Sequence, residues 1–222
     1  MDDALTRSDA CPSSPTTAHE YLSANAGAAA TFNEAMASST ELAARAVAEA
    51  YDLSRVGTIV DVGGGTGAFL AVILTATPGA RGILFDRPGV VAGASRILTR
   101  AGVADRCAVV AGDFFETVPR GGGAYILSWV IHDWDDDRAV TILENCRRAM
   151  ADDARLLIIE QVVPPGNEPS LSKLYDLQML ALAGGRERRA DEYRALLAAA
   201  DLELARIVPT SAPRSVIEAL PR

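Results

Sequence analysis

From Val56 onward the sequence alternates between short apolar runs and amphipathic stretches of helical period. The runs are GTIVDV (57–62), RGILFD (81–86), RCAVVAGD (106–113), AYILSWVI (124–131) and ARLLIIEQVV (154–163). Between them lie GAFLAVILTAT (67–77), GVVAGASRILTRAG (89–102) and DDDRAVTILENCRRAMA (135–151). The last has acids in its first turn and Arg147 and Arg148 in its last, as the helix dipole favours. Strands this apolar cannot leave a face in water. Joined through helices, they predict a mostly parallel sheet covered on both sides. LSKLYDLQMLALA (171–183) and ADEYRALLAAA (190–200) predict two more helices. LELARIVPT (202–210) and SVIEALP (215–221) follow as an antiparallel pair, completing seven strands. The expected class is α/β.

Ahead of this domain (56–222), residues 1–17 are rich in Ser, Thr, Pro and Asp and predict a disordered lead. Residues 18–55 predict a short helical arm, with two or three alanine-rich helices interrupted near Gly27 and Ser38–Ser39.

The net charge of −8 disfavours nucleic acid or an anionic membrane as partner, since both require clustered positive charge. Cys11, Cys107 and Cys146 are too few and too scattered for a disulfide framework, and with His19 and His132 they form no metal pattern. No metal is expected. No apolar run is long enough for a membrane span, and the N-terminus lacks a signal-peptide core. A cytoplasmic protein is the expectation.

In a doubly wound sheet, ligands bind beyond the carboxyl ends of the strands. Asp61, Asp86, Asp113 and His132 all fall at or just beyond predicted strand ends. The stretch VDVGGGTGAF (60–69) would make a tight strand-to-helix turn on glycine alone. It also fits two cofactor patterns: a nicotinamide fingerprint through Gly63, Gly65 and Ala68, and an S-adenosylmethionine pattern through Asp61, Gly63, Gly65 and Gly67. The surroundings favour the second. A negative Asp61 would oppose a pyrophosphate but suits a ligand carrying a sulfonium and an ammonium. Asp86 can hold ribose hydroxyls. Asp113 and Phe114 offer an acceptor and an aromatic face for adenine. The helix N-terminus near Gly65–Gly67 can take the methionine carboxylate.

His132, in SWVIHDWDDD (128–137), is the candidate base. Methyl transfer needs the acceptor aligned and its proton removed, and a positioned neutral imidazole can remove it. Such a base works best with its second nitrogen held, and Glu160 and Glu187 are candidates for that. Glu160 could otherwise be an exposed strand end, Glu187 a solvated loop charge and Asp133 a helix cap. Asp135–Asp137 predict only a solvated first turn.

The stretches VDVGGGTGAFL, LFDRPGVV, ADRCAVVAGDFFETVP, AYILSWVIHDWDDDRAVTILENCRRAM, LLIIEQVVPP and GGRERRADEYRALLAAADL together resemble the plant-type, caffeate-like small-molecule O-methyltransferases, in particular their bacterial secondary-metabolite branch. The resemblance covers roughly residues 20–222. It implies a Rossmann-like methyltransferase fold and S-adenosyl-L-methionine as cofactor, with S-adenosyl-L-homocysteine as product. It implies cofactor contacts at Gly63, Asp86, Arg87, Asp113, Phe114 and Ser128, and a base at His132 flanked by Asp133, Glu160 and Glu187. It further implies Trp129 and Met179 as acceptor contacts, although Met179 could equally be core packing of its helix, and a small aromatic hydroxyl compound as acceptor. The family's helical N-terminal domain, which dimerises, is represented here only by the arm, so the partner could be a second copy or a different chain. Ser128 stands where relatives commonly carry Lys, and Arg87 and Gly89 where they often carry Leu and His. Arg87 could pair with Asp86. Competing expectations are an S-adenosylmethionine-binding enzyme of hydroxylase or pericyclase type and an inactive partner subunit. A nicotinamide oxidoreductase is disfavoured by Asp61 and by the lack of a Tyr-x-x-x-Lys pair after the fourth strand.

Overall fold

The computed structural model describes residues 25–182 and 185–222. The expected disordered lead and the first residues of the arm lie outside them. The apolar runs form β1 (Thr58–Val62), β2 (Arg81–Asp86), β3 (Cys107–Ala111), β4 (Ala124–Ser128) and β5 (Arg155–Glu160). With β8 (Leu202–Pro209) and β9 (Ser215–Pro221) they make one sheet in the order β3-β2-β1-β4-β5-β9-β8. The first five strands are parallel, and β9 runs antiparallel to both β5 and β8. The chain winds outward from β1 to β3, then returns to place β4 on the other side of β1. That reversal opens a crevice at the carboxyl ends of β1 and β4.

Alternation along each strand divides the core between two faces. Tyr125, Leu127, Leu156 and Ile158 pack beneath α5 (Asp136–Ala149) and α7 (Ala190–Ala199). Ile126, Leu157 and Ile159 pack on the opposite face, under α1 (Ala26–Ala50), α2 (Ala68–Ala76) and α4 (Ala94–Arg100). The strands therefore read as nearly continuous apolar runs.

Four expectations are corrected. The described part of the arm is one helix, α1, which runs through Ser38–Ser39 without interruption. It contains no proline, the Thr40 hydroxyl donates back to the Met36 carbonyl at 2.8 Å, and Ala43, Ala44 and Val47 are buried. The single helix predicted over 89–102 is two, α3 (Pro88–Val91) and α4, with Gly93 between them. Glycine is a poor interior helix residue, and the break still lets α4 bury Ala94 and Leu98. The fourth strand ends at Ser128 because Trp129 adopts φ +57, a left-handed turn that leaves the sheet. The fifth ends at Glu160, and Val162–Val163 (β6) peel away to pair in parallel with Arg188–Arg189 (β7). The remaining helix, α6, spans Leu171–Leu182. Among the described residues no helix is long and apolar enough to cross a membrane.

Candidate active site

The glycine turn is built onto its neighbours. Gly63 N donates to the Phe85 carbonyl at 2.8 Å, tying the turn to the end of β2. A Cβ at Gly64 would lie 2.5 Å from Asp61 Oδ2 and 2.6 Å from Leu84 Cδ1, so this position admits glycine alone. Asp61 beneath it is fully buried, and neither carboxylate oxygen has a hydrogen-bond partner among the described residues. Burial, and then the charge of Asp86, push its carboxyl up to about 7. An unpartnered buried carboxylate costs several kcal/mol, which marks Asp61 as waiting for a cation or a donor.

Two cavities meet over this turn. One, of about 400 Å³, is lined by Gly63, Asp86, Arg87, Asp113, Phe114, Trp129 and Asp133. The other, of about 330 Å³, is lined by Asp61, Gly63, Gly65, Ser128, Trp129 and Arg214. Gly63 and Trp129 belong to both, so the predicted cofactor residues all line one continuous crevice at the switch point. Asp86 Oδ2 accepts from Gly65 N at 2.9 Å, and its Oδ1 accepts from the Arg87 backbone N at 2.7 Å. Arg87 thus meets Asp86 through its amide, and no ion pair joins their side chains among the described residues. Asp113 Oδ1 accepts from Phe115 N at 2.8 Å, which fixes the turn that presents Phe114. Phe114, Phe115 and Trp134 form an edge-to-face trio, with the Arg138 guanidinium 4.6 Å from the Trp134 ring. A separate surface groove, about 750 Å³ between α1, α2 and α4, is rimmed by Glu41, Arg45, Glu49 and Arg100 and contains none of the strand-end residues.

His132 sits in a short 3-10 turn (Ile131–Asp133) just past β4. Its Nδ1 lies 3.2 Å from Glu187 Oε1 and 3.6 Å from Glu160 Oε2. Its Nε2 lies 3.5 Å from Asp133 Oδ1. Glu160 Oε1 accepts from the backbone N of Val130 and of His132, at 3.1 and 3.3 Å. The buried glutamate at the end of β5 therefore fixes the loop that carries the histidine. Burial works against a charged imidazole, but Glu160, Glu187 and Asp133 outweigh it and raise His132 to about 9. Burial, opposed by His132 and reinforced by Glu187, raises Glu160 to about 7. The four residues predicted as catalytic thus form one cluster. His132, Glu160 and Glu187 bring donor atoms within 4.8 Å of one another, close enough for a divalent cation as well as for a shared proton.

Residues 185–189 reach this cluster through the β6–β7 ribbon. Arg186 N donates to the His132 carbonyl at 2.8 Å, and a Cβ on Gly185 would collide with that same carbonyl oxygen. Glu187 N donates to Asp176 of α6 at 2.9 Å. Met179 lies at the same junction, since that added Cβ would stand 3.1 Å from its Cε. The Trp129 ring is 5.9 Å from the His132 ring.

Two residues escaped the sequence analysis. Arg188 is fully buried and donates to the carbonyls of Ile131 (2.9 Å) and Trp134 (2.7 Å) and to Asp136 Oδ1 (2.8 Å). It clamps both ends of the His132 turn. Its signal, one Arg in the string GGRERRAD, looks like any solvated loop charge. Arg214 is the second. It is 6% exposed and lines the Asp61 cavity.

A protein-family profile, the O-methyltransferase domain, matches residues 12–203. The phenazine O-methyltransferase PhzM of Lysobacter antibioticus is 50% identical over 201 residues, which cover 90% of this chain and 59% of the relative. Aclacinomycin 10-hydroxylase RdmB of Streptomyces purpurascens is 41% identical, with 84% of this chain and 50% of the relative covered. The crystal structure of CalO1, a methyltransferase in calicheamicin biosynthesis in its SAH-bound form, superimposes with a TM-score of 0.86 at 38% identity, covering 97% of this chain and 66% of that one. The chain spans little more than half the length of these curated relatives.

Proposed function

The chain belongs to the O-methyltransferase domain family, and from that premise we propose that it transfers a methyl group from S-adenosylmethionine to a hydroxyl of an aromatic natural product, with His132 as general base. The observation that carries the proposal is the held imidazole. Nδ1 faces Glu187 and Glu160, while the ring stands beside Trp129 at the edge of the crevice.

The crevice fits the cofactor on its own chemistry. Asp61 is buried without a partner, Gly64 leaves no room for a side chain over it, and Phe114 stands beyond Asp113 as an aromatic wall. Asp61, Gly63, Gly65 and Ser128 would hold the methionine end, Asp86 and Arg87 the ribose, and Asp113 and Phe114 the adenine. The cofactor supplies an activated methyl group. The chain aligns the acceptor against Trp129 and Met179 and removes its proton. Nε2 of neutral His132 accepts the hydroxyl proton, and Glu187 and Glu160 stabilise the imidazolium that results. A phenol titrates near 10, so an imidazole raised toward 9 is close to it in basicity, and the neutral form that accepts the proton grows in as pH rises through that value.

The exposed Leu171, Leu174 and Leu177 of α6 support a partner chain over that helix, in a homo- or hetero-dimer. The test of function is binding and turnover together. The chain should bind S-adenosylmethionine and not NAD in calorimetry, and should move a labelled methyl group onto a phenolic acceptor. Similarity to RdmB keeps a second reading, hydroxylation on the same fold. Product mass separates the two, since methylation and hydroxylation add different groups. Cofactor binding with no methylated product from any phenol would overturn the first.

A further inference from the structure

Arg214 stands in the turn between β8 and β9, and its buried side chain lines the cavity of about 330 Å³ that Asp61, Gly65 and Ser128 also line. The guanidinium lies 3.2 Å from the centroid of the Trp129 ring, and Nη2 donates to the Ser39 hydroxyl of α1 at 3.0 Å. Among the described residues no carboxylate comes within ion-pair distance of it. A guanidinium has five N–H donors, so one that is stacked on an indole and bonded to one neutral hydroxyl has most of its donor capacity unspent. Arg188, also buried, spends its donors on two carbonyls and a carboxylate instead.

Asp61 is its counterpart. Both of its carboxylate oxygens are buried with no hydrogen-bond partner among the described residues. Among the described residues that line this cavity, Asp61 is the one carboxylate and Arg214 the one cation. Burial makes each of these groups costly when unpaired, yet the two do not pair with each other. The cavity therefore holds one unmatched acid and one unmatched base, on walls supplied by β1 and by the β8–β9 turn. A purely cationic ligand would leave the guanidinium unmatched, and a phosphate would meet the carboxylate. A group with an ammonium and a carboxylate on one carbon answers both. Burial lowers Arg214 to about 10, so it stays charged at neutral pH.

We propose that Arg214 binds the carboxylate at the methionine end of S-adenosylmethionine while Asp61 takes the ammonium, so that this cavity selects an intact amino-acid group. The proposal rests on the methyltransferase reading above and deepens it, by adding a cofactor-binding residue from the far end of the chain. Stacking on Trp129 and the bond to Ser39 fix the plane of the guanidinium before a ligand arrives, and paired N–H donors recognise a carboxylate with fixed orientation. Asp113 and Phe114 line the other cavity, where the adenine would lie. A grip on the opposite end of the ligand then limits where its sulfonium can stand.

The backbone amides near Gly65–Gly67 could hold the same carboxylate, and Arg214 could serve only to pack Trp129, so the test separates these roles. The full chain is titrated calorimetrically with S-adenosylhomocysteine and with its decarboxylated form, an aminopropyl thioadenosine that keeps the amine. Wild type, Arg214→Met and Arg214→Lys are compared. We expect wild type to bind S-adenosylhomocysteine about tenfold or more tightly than the decarboxylated form, as a charge-assisted pair supplies. Arg214→Met should lose about tenfold or more for S-adenosylhomocysteine while its affinity for the decarboxylated form stays within about threefold of wild type. Arg214→Lys should restore part of the preference. No preference in wild type, or a preference that survives in Arg214→Met, overturns the proposal, and the second result would give the carboxylate to the glycine-turn amides. Equal losses for both ligands in Arg214→Met and in Arg214→Lys also overturn it and leave Arg214 a packing role. Failure of wild type to bind either ligand overturns the methyltransferase reading and this proposal with it, whereas binding that is indifferent to Arg214 overturns this proposal alone.

Discussion

Replacing Glu187 with Gln should lower the pKa of His132, and the structure sets the size of the change. His132 stands at about 9 against an ordinary 6.5, a preference for imidazolium of about 3.4 kcal/mol. Three carboxylates produce it against the opposition of burial. Glu187 is the nearest to the ring, 3.2 Å from Nδ1, against 3.6 Å for Glu160 and 3.5 Å for Asp133 at Nε2. An equal third of the net preference is about 1 kcal/mol, while a bare Coulomb estimate at an effective dielectric near 20 gives an upper bound of about 5 kcal/mol. The expected fall is therefore about one to two pH units, since each unit corresponds to about 1.4 kcal/mol. The chain has two histidines, so in a His19→Ala background the imidazole titration is read by NMR from one residue. Kinetics should agree in sign. With neutral His132 as the proposed base, kcat/KM should rise with pH through its pKa, and in Glu187→Gln that rise should move to lower pH. Above both midpoints the variant should be slower than wild type, because its base is weaker and less firmly oriented. A midpoint that stays put or moves up would refute the assignment of Glu187 as one of the groups that charge the imidazole.

His132→Ala should leave S-adenosylhomocysteine affinity nearly intact and lower turnover by about 10²–10⁴, measured by labelled methyl transfer. Asp61 is raised in the fold, so its contribution to stability is full below its unfolded value near 4 and is lost as pH rises through about 7, a swing of roughly 4 kcal/mol. Asp61→Asn should flatten that part of the profile in denaturant melts, and cofactor binding near pH 6–7 should release fewer protons than in wild type when calorimetry is run in buffers of different ionisation enthalpy. Arg188→Met strands the carbonyls of Ile131 and Trp134 and should cost about 3–5 kcal/mol of stability, read from denaturant unfolding. Turnover should not fall on treatment with EDTA, and a loss restored by a divalent cation would show that His132, Glu160 and Glu187 hold a metal.

The legible parts of this protein were those whose signal is local. The apolar runs fixed the strands, and the glycines of 63–67 marked the turn because a Cβ at Gly64 would strike Asp61 and Leu84 while Gly63, Gly65 and Gly67 take positive φ. His132 and Glu160 were legible as polar residues at the ends of apolar strands. Glu187 was weaker, since nothing within GGRERR distinguishes a buried glutamate from a solvated one. What was illegible depends on contacts made across the chain. The β6–β7 ribbon has two residues per strand, too short to show any period. Arg188 and Arg214 are defined by what they touch, respectively 52–57 and 175 residues away, and no window of sequence holds both partners. Trp129 ended β4 early through a backbone angle that its residue type disfavours. Strain of that kind persists only where the surrounding fold imposes it, and here it turns the indole into the crevice beside His132.

The placement of charge along the sheet edge would let one crevice serve the two dissimilar ligands of the proposed reaction. Asp61, Asp86 and Asp113 follow β1, β2 and β3 and give that half a negative potential, suited to a ligand with a sulfonium and an ammonium. Glu160, Glu187 and Asp133 gather beyond β4 and β5, but there the charge is spent on an imidazole. Arg214 adds a buried positive charge to the Asp61 cavity, stacked on the one indole, Trp129, that lines both cavities. The edge thus carries both signs of charge within one crevice.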